Sequence, residues 1–325
     1  MAPKLDFIKD GKAYGDVAMK LLHSNFNVNA LRTNDTLLYD EWKQFDDAVL
    51  KAAQQRLVGV ADLQSRGLVY TIPNGLSKTV LAYQDASEIE AAEVDMDGIT
   101  RGRRDRPEYD INYIPLPITH DDFSFSAREI QVSRNGNMPL DTTMAELAAR
   151  KVAEKVEEYL FIGSSTYTFG GGTIYGYMDA PQRNPGSMTV DWATATGDQI
   201  LGDVRDMKQA SIDAYHYGPW VLYIPTAYET ALDGDFKAAS DKSIRQRVLE
   251  ISGIEAIKVA DFLTAANIIL EQMTSDVVRL IEGLPITTVQ WDSEGGMKVN
   301  FKVMTIMVPQ IRNDQNSKSG VTHWT

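Results

Sequence analysis

The stretch from Tyr159 to Asp179, YLFIGSSTYTFGGGTIYGYMD, places three consecutive glycines, Gly170 to Gly172, in a polar and aromatic setting. Such glycines let backbone N–H groups converge on a phosphate when the loop leaves a strand and opens a helix, usually with a Lys-Ser or Lys-Thr behind it. Here the order is reversed. A helical pattern precedes the triplet, the β-like TIYGYM follows it, and no such lysine pair comes after the glycines. We therefore read the triplet as a flexible connection between a helix and the next domain, with a nucleotide-using enzyme as the less favoured reading.

The other residues able to do chemistry are scattered. His23, His120, His216 and His323 are far apart in sequence and none has a metal-ligand spacing with a nearby carboxylate, so no metal site is expected. Acid pairs such as Asp46 with Asp47, Asp121 with Asp122 and Glu157 with Glu158 read as neighbours on solvated faces, because a catalytic pair needs environments that push two pKa values apart. There is no Gly-x-Ser-x-Gly elbow and no cysteine, which removes thiolate nucleophiles, disulfides and cysteine-ligated zinc. No catalytic residue and no cofactor are assigned, and the chain is read as a non-enzyme.

One charged stretch resists a bland reading. Asp85, Glu88, Glu90, Glu93, Asp95 and Asp97 form a block of six acids without a base, and Arg101, Arg103, Arg104 and Arg106 follow in RGRRDR. A solvated loop and a small RNA or DNA patch are both compatible with it. A hairpin of some 40 residues this polar suits better an arm that reaches a neighbouring subunit, where complementary charge sets register. The formal charge of −13 argues against a surface that grips nucleic acid as a whole.

Around this stretch the sequence is α+β. Residues 1–39 show no sustained period and read as an extended arm ordered only against something else. DEWKQFDDAVLKAAQQRL, 40–57, has the spacing of an amphipathic helix. Residues 68–81 and 109–119 are extended in character on either side of the charged insertion, which predicts a long two-stranded excursion. DTTMAELAARKVAEKVEEYLF, 141–161, predicts a helix capped by Asp or Thr, with Met144, Leu147, Ala148, Val152, Val156, Tyr159 and Leu160 as its apolar positions. After Gly186 come a helix through GDQILGDVRDMKQASIDAY, a buried strand in WVLYIP, a helix in TAYETALDGDF and a last strand series to Pro309. The opening stretch MAPKLDFIKDGKAYG lacks the apolar core of a signal peptide and no apolar run suits a membrane span, so a soluble cytoplasmic product without membrane contact is expected.

The order of a polar hairpin, a proline-containing strand and a long capped helix resembles that of tailed-bacteriophage major capsid proteins. DTTMAELAARKVAEKVEEYLFIGSS followed by IYGYMDAP resembles the spine helix and following segment of the encapsulin-like branch of that family. GPWVLYIPTAYETAL resembles its axial-domain strand and helix, and DVVRLIEGLPITTVQWDSEGGMKVNFKVMTIMVPQIRND its closing β-segment. The resemblance covers about residues 40 to 313 and rests on agreement in order at four places.

It implies an N-terminal arm (1–39), a peripheral-domain N-terminal helix (40–68) and an extended loop (69–119). A peripheral domain with the spine helix (120–185), an axial domain (186–274) and a return to the peripheral domain with a C-terminal tail (275–325) follow. It also implies self-association into pentamers and hexamers that close an icosahedral shell around double-stranded DNA without sequence-specific binding. Portal, scaffolding or decoration proteins would be partners; the virion would be the location, with assembly in the host bacterial cytoplasm. The alternative within the same resemblance is an encapsulin-type nanocompartment shell.

If the charged hairpin sets register between subunits, Arg103→Glu with Arg104→Glu leaves circular dichroism and thermal unfolding of the subunit nearly unchanged. The product then shifts from closed shells to free capsomers, seen by electron microscopy. Each exposed pair is worth at most ~1 kcal/mol, so the effect depends on repetition over many copies and weakens with salt.

Overall fold

The computed structural model describes residues 49, 58–86, 96, 109–135, 142–237, 242–314 and 316–325. The expected arm lies outside them, and so does the expected helix over 40–57 apart from Val49, which is helical and buried. The first part of the described chain forms α1 (Val58–Ser65), β1 (Val69–Thr71), β2 (Val80–Ala86), β3 (Tyr109–Pro115), β4 (Thr119–Ser126), α2 (Ala127–Asn135) and α3 (Thr143–Phe161). Two short strands, β5 (Gly163–Phe169) and β6 (Gly172–Tyr175), lead to β7 (Asn184–Gly186), α4 (Gly197–Asp213), β8 (Trp220–Ile224), α5 (Glu229–Asp233), α6 (Ile244–Leu249), β9 (Ile254–Val259) and β10 (Ile268–Gln272). The chain ends in the long strands β11 (Val278–Ser293) and β12 (Lys298–Ile311) and the short β13 (Val321–Trp324). The class is α+β, as expected.

Two sheets carry the fold, one of four strands in the order β1-β11-β12-β4 and one of five in the order β7-β13-β10-β8-β9. The spine helix α3 packs on the first. Ala145, Ala148, Ala149, Val152 and Val156 recur at helical spacing and are buried, and the small alanines let the helix approach the strands closely. Beneath them Phe123 stacks on Phe301 at 5.1 Å and Phe125 meets the same ring edge-on at 5.9 Å. In the second sheet every residue of β8 is buried, which explains the unbroken apolar run WVLYI, and α4 covers it through Ile200, Leu201, Val204 and Met207. A capping box between Thr196 and Gln199 starts α4, while Asp203 accepts from Trp192 Nε1 at 2.8 Å and Thr189 Oγ1 at 2.6 Å.

Several expectations need correction. Met144 and Leu147, expected among the core positions of the spine helix, are exposed, since the stripe facing the sheet runs through Ala145 and Ala148 instead. Thr142 precedes that helix without a side-chain cap bond; its hydroxyl reaches Glu146 Oε1 at 3.3 Å. The extended excursion leaves the sheet at Val80 and not near 69, because Val69–Thr71 pairs in parallel with Leu280–Glu282. TAYETALDGDF forms a single 3-10 turn and the five-residue α5. The final strand does not return to the first sheet: Val321–Trp324 inserts between β7 and β10 in the second.

Glu157, expected with Glu158 on a solvated face, is instead buried and ties α1 to the spine. Glu157, only 2% exposed, accepts from the backbone amides of Gly59 at 2.7 Å and Val60 at 3.2 Å, in the first turn of α1. Gly59 permits this approach, since a Cβ there would lie 2.7 Å from Leu160 Cδ2. Burial, opposed by those amides, raises the Glu157 carboxyl from an ordinary 4.5 to about 7. Nearby, Asp62 behaves in the opposite way: burial resists its ionisation, but hydrogen bonds from Lys258, Arg66 and Tyr223 outweigh that and hold it low. Glu271 is wholly buried and pushed well above its usual range by burial.

Because the folded Glu157 holds its proton more tightly than the unfolded one, its contribution is fully present below pH 4.5 and is lost as pH rises through about 7. The loss amounts to about 3 kcal/mol. His323 works against it: burial and Arg183 lower its pKa to about 4, so its contribution disappears as pH falls toward that value. The two separate in a variant. Relative to the parent, Glu157→Gln should gain stability between pH 4.5 and 7, measured by urea unfolding across the range; a difference independent of pH would contradict the assignment.

Candidate subunit interface

The extended excursion is an antiparallel ladder running from Val80 paired with Pro115 to Ala86 paired with Tyr109. Its base is closed by the Leu116 amide donating to Thr79 O at 2.8 Å. A two-stranded ribbon has no layer of its own to cover both faces, so it leans on what lies beside it. That neighbour is the β5–β6 hairpin, and the glycine triplet makes the contact.

Gly170 and Gly171 turn the hairpin with φ of 61° and 81°, conformations that residues with a Cβ rarely adopt. At Gly172 a Cβ would stand 2.2 Å from Tyr113 O, so the hairpin backbone lies directly on β3. The triplet is therefore not a flexible connection. It is a tight turn seated against a strand, and it is followed by β6 and not by a helix, so it lacks the helix N-terminus that an anion cradle requires.

The surface created there carries a set of exposed aromatic and aliphatic side chains. Tyr109, Ile111 and Tyr113 alternate along β3, Tyr167 and Phe169 stand on β5 and Tyr175 on β6, and they range from 40% to 62% exposed. Ile111, Tyr113, Gly171, Gly172 and Tyr175 share a groove of about 140 Å³ that reaches Pro309 and Ile311. Below it the same strands contribute Ile114 and Ile174 to a core with Tyr159, Ile281, Leu284, Ile306 and Val308. One side of the ribbon is thus anchored while the other offers apolar surface to water, the pattern of a contact face.

Of the residues expected at the subunit contact, Asp85 lies in β2 with Asp110 as its register partner. Glu88, Glu90, Glu93, Asp95, Asp97, Arg101, Arg103, Arg104 and Arg106 lie outside the described residues. The exposed row of Tyr109, Ile111 and Tyr113 was not anticipated from the sequence. Their alternation with Asp110 and Asn112 was a signal, but alternation identifies a face without saying what covers it. Among the described residues no histidine joins a metal-ligating group: His120 sits beside Asp122 at 3.2 Å, whereas His323 Nε2 and Asn267 Oδ1 are 2.8 Å apart. Arg183 Nε donates to His323 Nδ1, which leaves the proton of a neutral ring on Nε2, facing Asn267.

Gly172→Ala should cost about 1–3 kcal/mol, because the neighbouring atom is backbone and cannot swing aside. Gly171→Ala should cost about 1 kcal/mol from its left-handed backbone alone, with Tyr113 Cδ2 an ordinary 3.9 Å away. Urea unfolding of both variants checks the order, and equal costs would contradict the seating of Gly172 on β3.

A sequence profile described as "Family of unknown function (DUF6260)" matches residues 29–324. The type 1 encapsulin shell protein EncA of Myxococcus xanthus (strain DK1622) is 25% identical over 195 residues, 57% of this chain. The match spans 60% of that relative, less than two thirds of its length. Among solved structures, a virus-like particle from Pyrococcus furiosus matches with a TM-score of 0.62 and 18% identity, over 88% of this chain and 99% of that one. The capsid of Myoviridae phage XM1 matches at 0.63 with 13% identity, over 80% and 90%. The capsid of a native GTA particle matches at 0.57 with 14% identity, over 82% and 90%. The fold is that of tailed-phage capsids and encapsulin-like shells.

Proposed function

The chain belongs to the DUF6260 family and has the tailed-phage capsid fold, and from that premise we propose that it is the major capsid protein of a tailed bacteriophage. Its action is self-association into pentamers and hexamers that close an icosahedral shell around double-stranded DNA. The observation that carries this reading is the apolar face of the β2–β3 ribbon and the β5–β6 hairpin, anchored beneath and open above. A partly exposed Tyr or Ile gains about 1 kcal/mol when a neighbour covers it, a modest amount that repetition over a shell makes decisive.

In this reading residues 1–39 are the N-terminal arm and 40–68 the first peripheral helix. The extended loop is the ribbon from Val80 to Pro115, the four-stranded sheet with its spine helix is the peripheral domain, and the five-stranded sheet is the axial domain, with β13 belonging to it. Partners are further copies, a portal, and scaffolding or decoration proteins; the shell assembles in the host cytoplasm and resides in the virion. The net charge of −13 suits a container whose wall does not hold DNA so tightly as to prevent its release. The relatives are named as capsids or shells, and the seating of Gly172 on Tyr113 O weighs against a nucleotide-using enzyme at the triplet.

An encapsulin-type compartment shell is the second reading. It is favoured by the encapsulin shell relative from Myxococcus. The contents of purified particles separate the two: packaged genome for a capsid, a cargo enzyme for a compartment.

Tyr109→Ser with Ile111→Ser should leave subunit unfolding within about 0.5 kcal/mol of the parent, as exposed positions do. It should also sharply lower the yield of closed particles in sedimentation and negative-stain microscopy. Particles formed at parental yield would contradict the role assigned to this face.

A further inference from the structure

Arg279 on β11 is the register partner of Gln310 on β12, and Arg312, two residues further on, falls on the same face of the ladder. The pairing continues past the end of the strands, since the Arg312 amide donates to Val277 O at 2.7 Å. Arg279 lies over the ring of Tyr70, 4.4 Å from its centroid, and its Nε donates to Gln310 Oε1 at 2.5 Å. That bond orients the amide so that Nε2 points elsewhere, and this buried nitrogen has no acceptor. Among the described residues Arg312 Nη1 meets only the Ser275 carbonyl, at 3.5 Å.

The cluster is rich in donors and poor in acceptors. Among the described residues neither arginine has a carboxylate partner, whereas Arg66, Arg150, Arg245 and Arg247 all do. Partial burial and the charge of Arg312 both work against the Arg279 cation. Two half-buried guanidiniums close enough to repel each other are an arrangement that an incoming anion relieves. A guanidinium held over an aromatic ring and bonded through Nε keeps its remaining N–H groups free as a fork, which fits a carboxylate with two parallel hydrogen bonds.

We propose that Tyr70, Arg279, Gln310 and Arg312 form a docking site for an acidic side chain of a second copy of this chain. The inference rests on the self-association reading above. The chain carries 45 acidic against 32 basic residues, so the surface of another copy is rich in suitable carboxylates, while that same surplus repels a nucleic-acid backbone at long range.

The test uses intact protein in parental, Arg279→Lys and Arg312→Lys forms, the substitutions keeping the charge and supplying an amine. Subunits of natural and ¹⁵N isotopic composition are mixed, assembled and treated with a carbodiimide, which joins an amine to a carboxylate in direct contact. The expected result is a peptide linking position 279 or 312 to an aspartate or glutamate, with mixed isotopic composition, absent from the parent. Arg279→Glu with Arg312→Glu should in addition reduce particle yield at least tenfold while far-UV circular dichroism is retained; if that variant fails to fold, the lysine forms decide. Assembled particles with no cross-link at these positions, or only cross-links within one copy, would overturn the proposal. Particles of the double reversal that form at parental yield but lose co-purifying nucleic acid would overturn it in favour of a phosphate site. A parent that forms no oligomer removes the shell reading itself, an outcome distinct from failure of this site alone.

Discussion

The structure depends on one helix serving three cores at once. Along α3, Ala145, Ala148, Ala149 and Val152 pack with the phenylalanines of β4 and β12. One turn later Ala153, Val156, Leu160 and Phe161 pack with α1, β8 and β10, and Tyr159 turns to the core beneath the extended ribbon. A helix buried on so wide an arc holds the two sheets at a fixed relation, because Val221, Tyr223 and Ile269 of the five-stranded sheet share a cluster with Leu280 and Met307 of the four-stranded one. The cost is a polar residue inside. Glu157 lies on that arc, and it is tolerated because it caps the first turn of α1 through Gly59 and Val60.

What the helix cannot do is cover both sides of the ribbon. Ile114 and Ile174 face the core, while Tyr109, Ile111 and Phe169 face away from it. Closing that second face within one chain would need another layer, and the described residues contain none there. In the self-association proposed above, a neighbouring copy would supply it without lengthening the chain, as a subunit of modest size does when it joins a large assembly.

Much of this architecture was legible because it is local. The 3.6-residue period marks α3, the unbroken run WVLYI marks a strand covered on both faces, and the alternation in YDINYIP marks an extended segment. Failures came where the deciding contact is distant in the chain. The seat of Gly172 is the carbonyl of Tyr113, some 60 residues away, so glycine content alone suggested looseness where there is close packing. Val321–Trp324 is a four-residue strand whose sheet is decided by pairing with Ile268–Glu271, and no local pattern carries that choice. Met144 and Leu147 outrank their alanine neighbours in hydrophobicity, yet the alanines face the sheet because only small side chains fit between helix and strands. The candidate interface was half legible: the ribbon was expected, but apart from Asp85 its charged blocks lie outside the described residues, and its apolar face was not foreseen.

The most direct test of the central claim is hydroxyl-radical footprinting of Tyr109, Ile111 and Tyr113, read by mass spectrometry on dissociated subunits and on closed particles. If neighbouring copies cover the ribbon, modification of these three side chains should fall about tenfold on assembly, while exposed Tyr215 and Tyr217, outside this face, report general shielding by the particle. Equal modification of Tyr109, Ile111 and Tyr113 in subunits and closed shells would mean that the face stays open to water, and would contradict assembly through the ribbon.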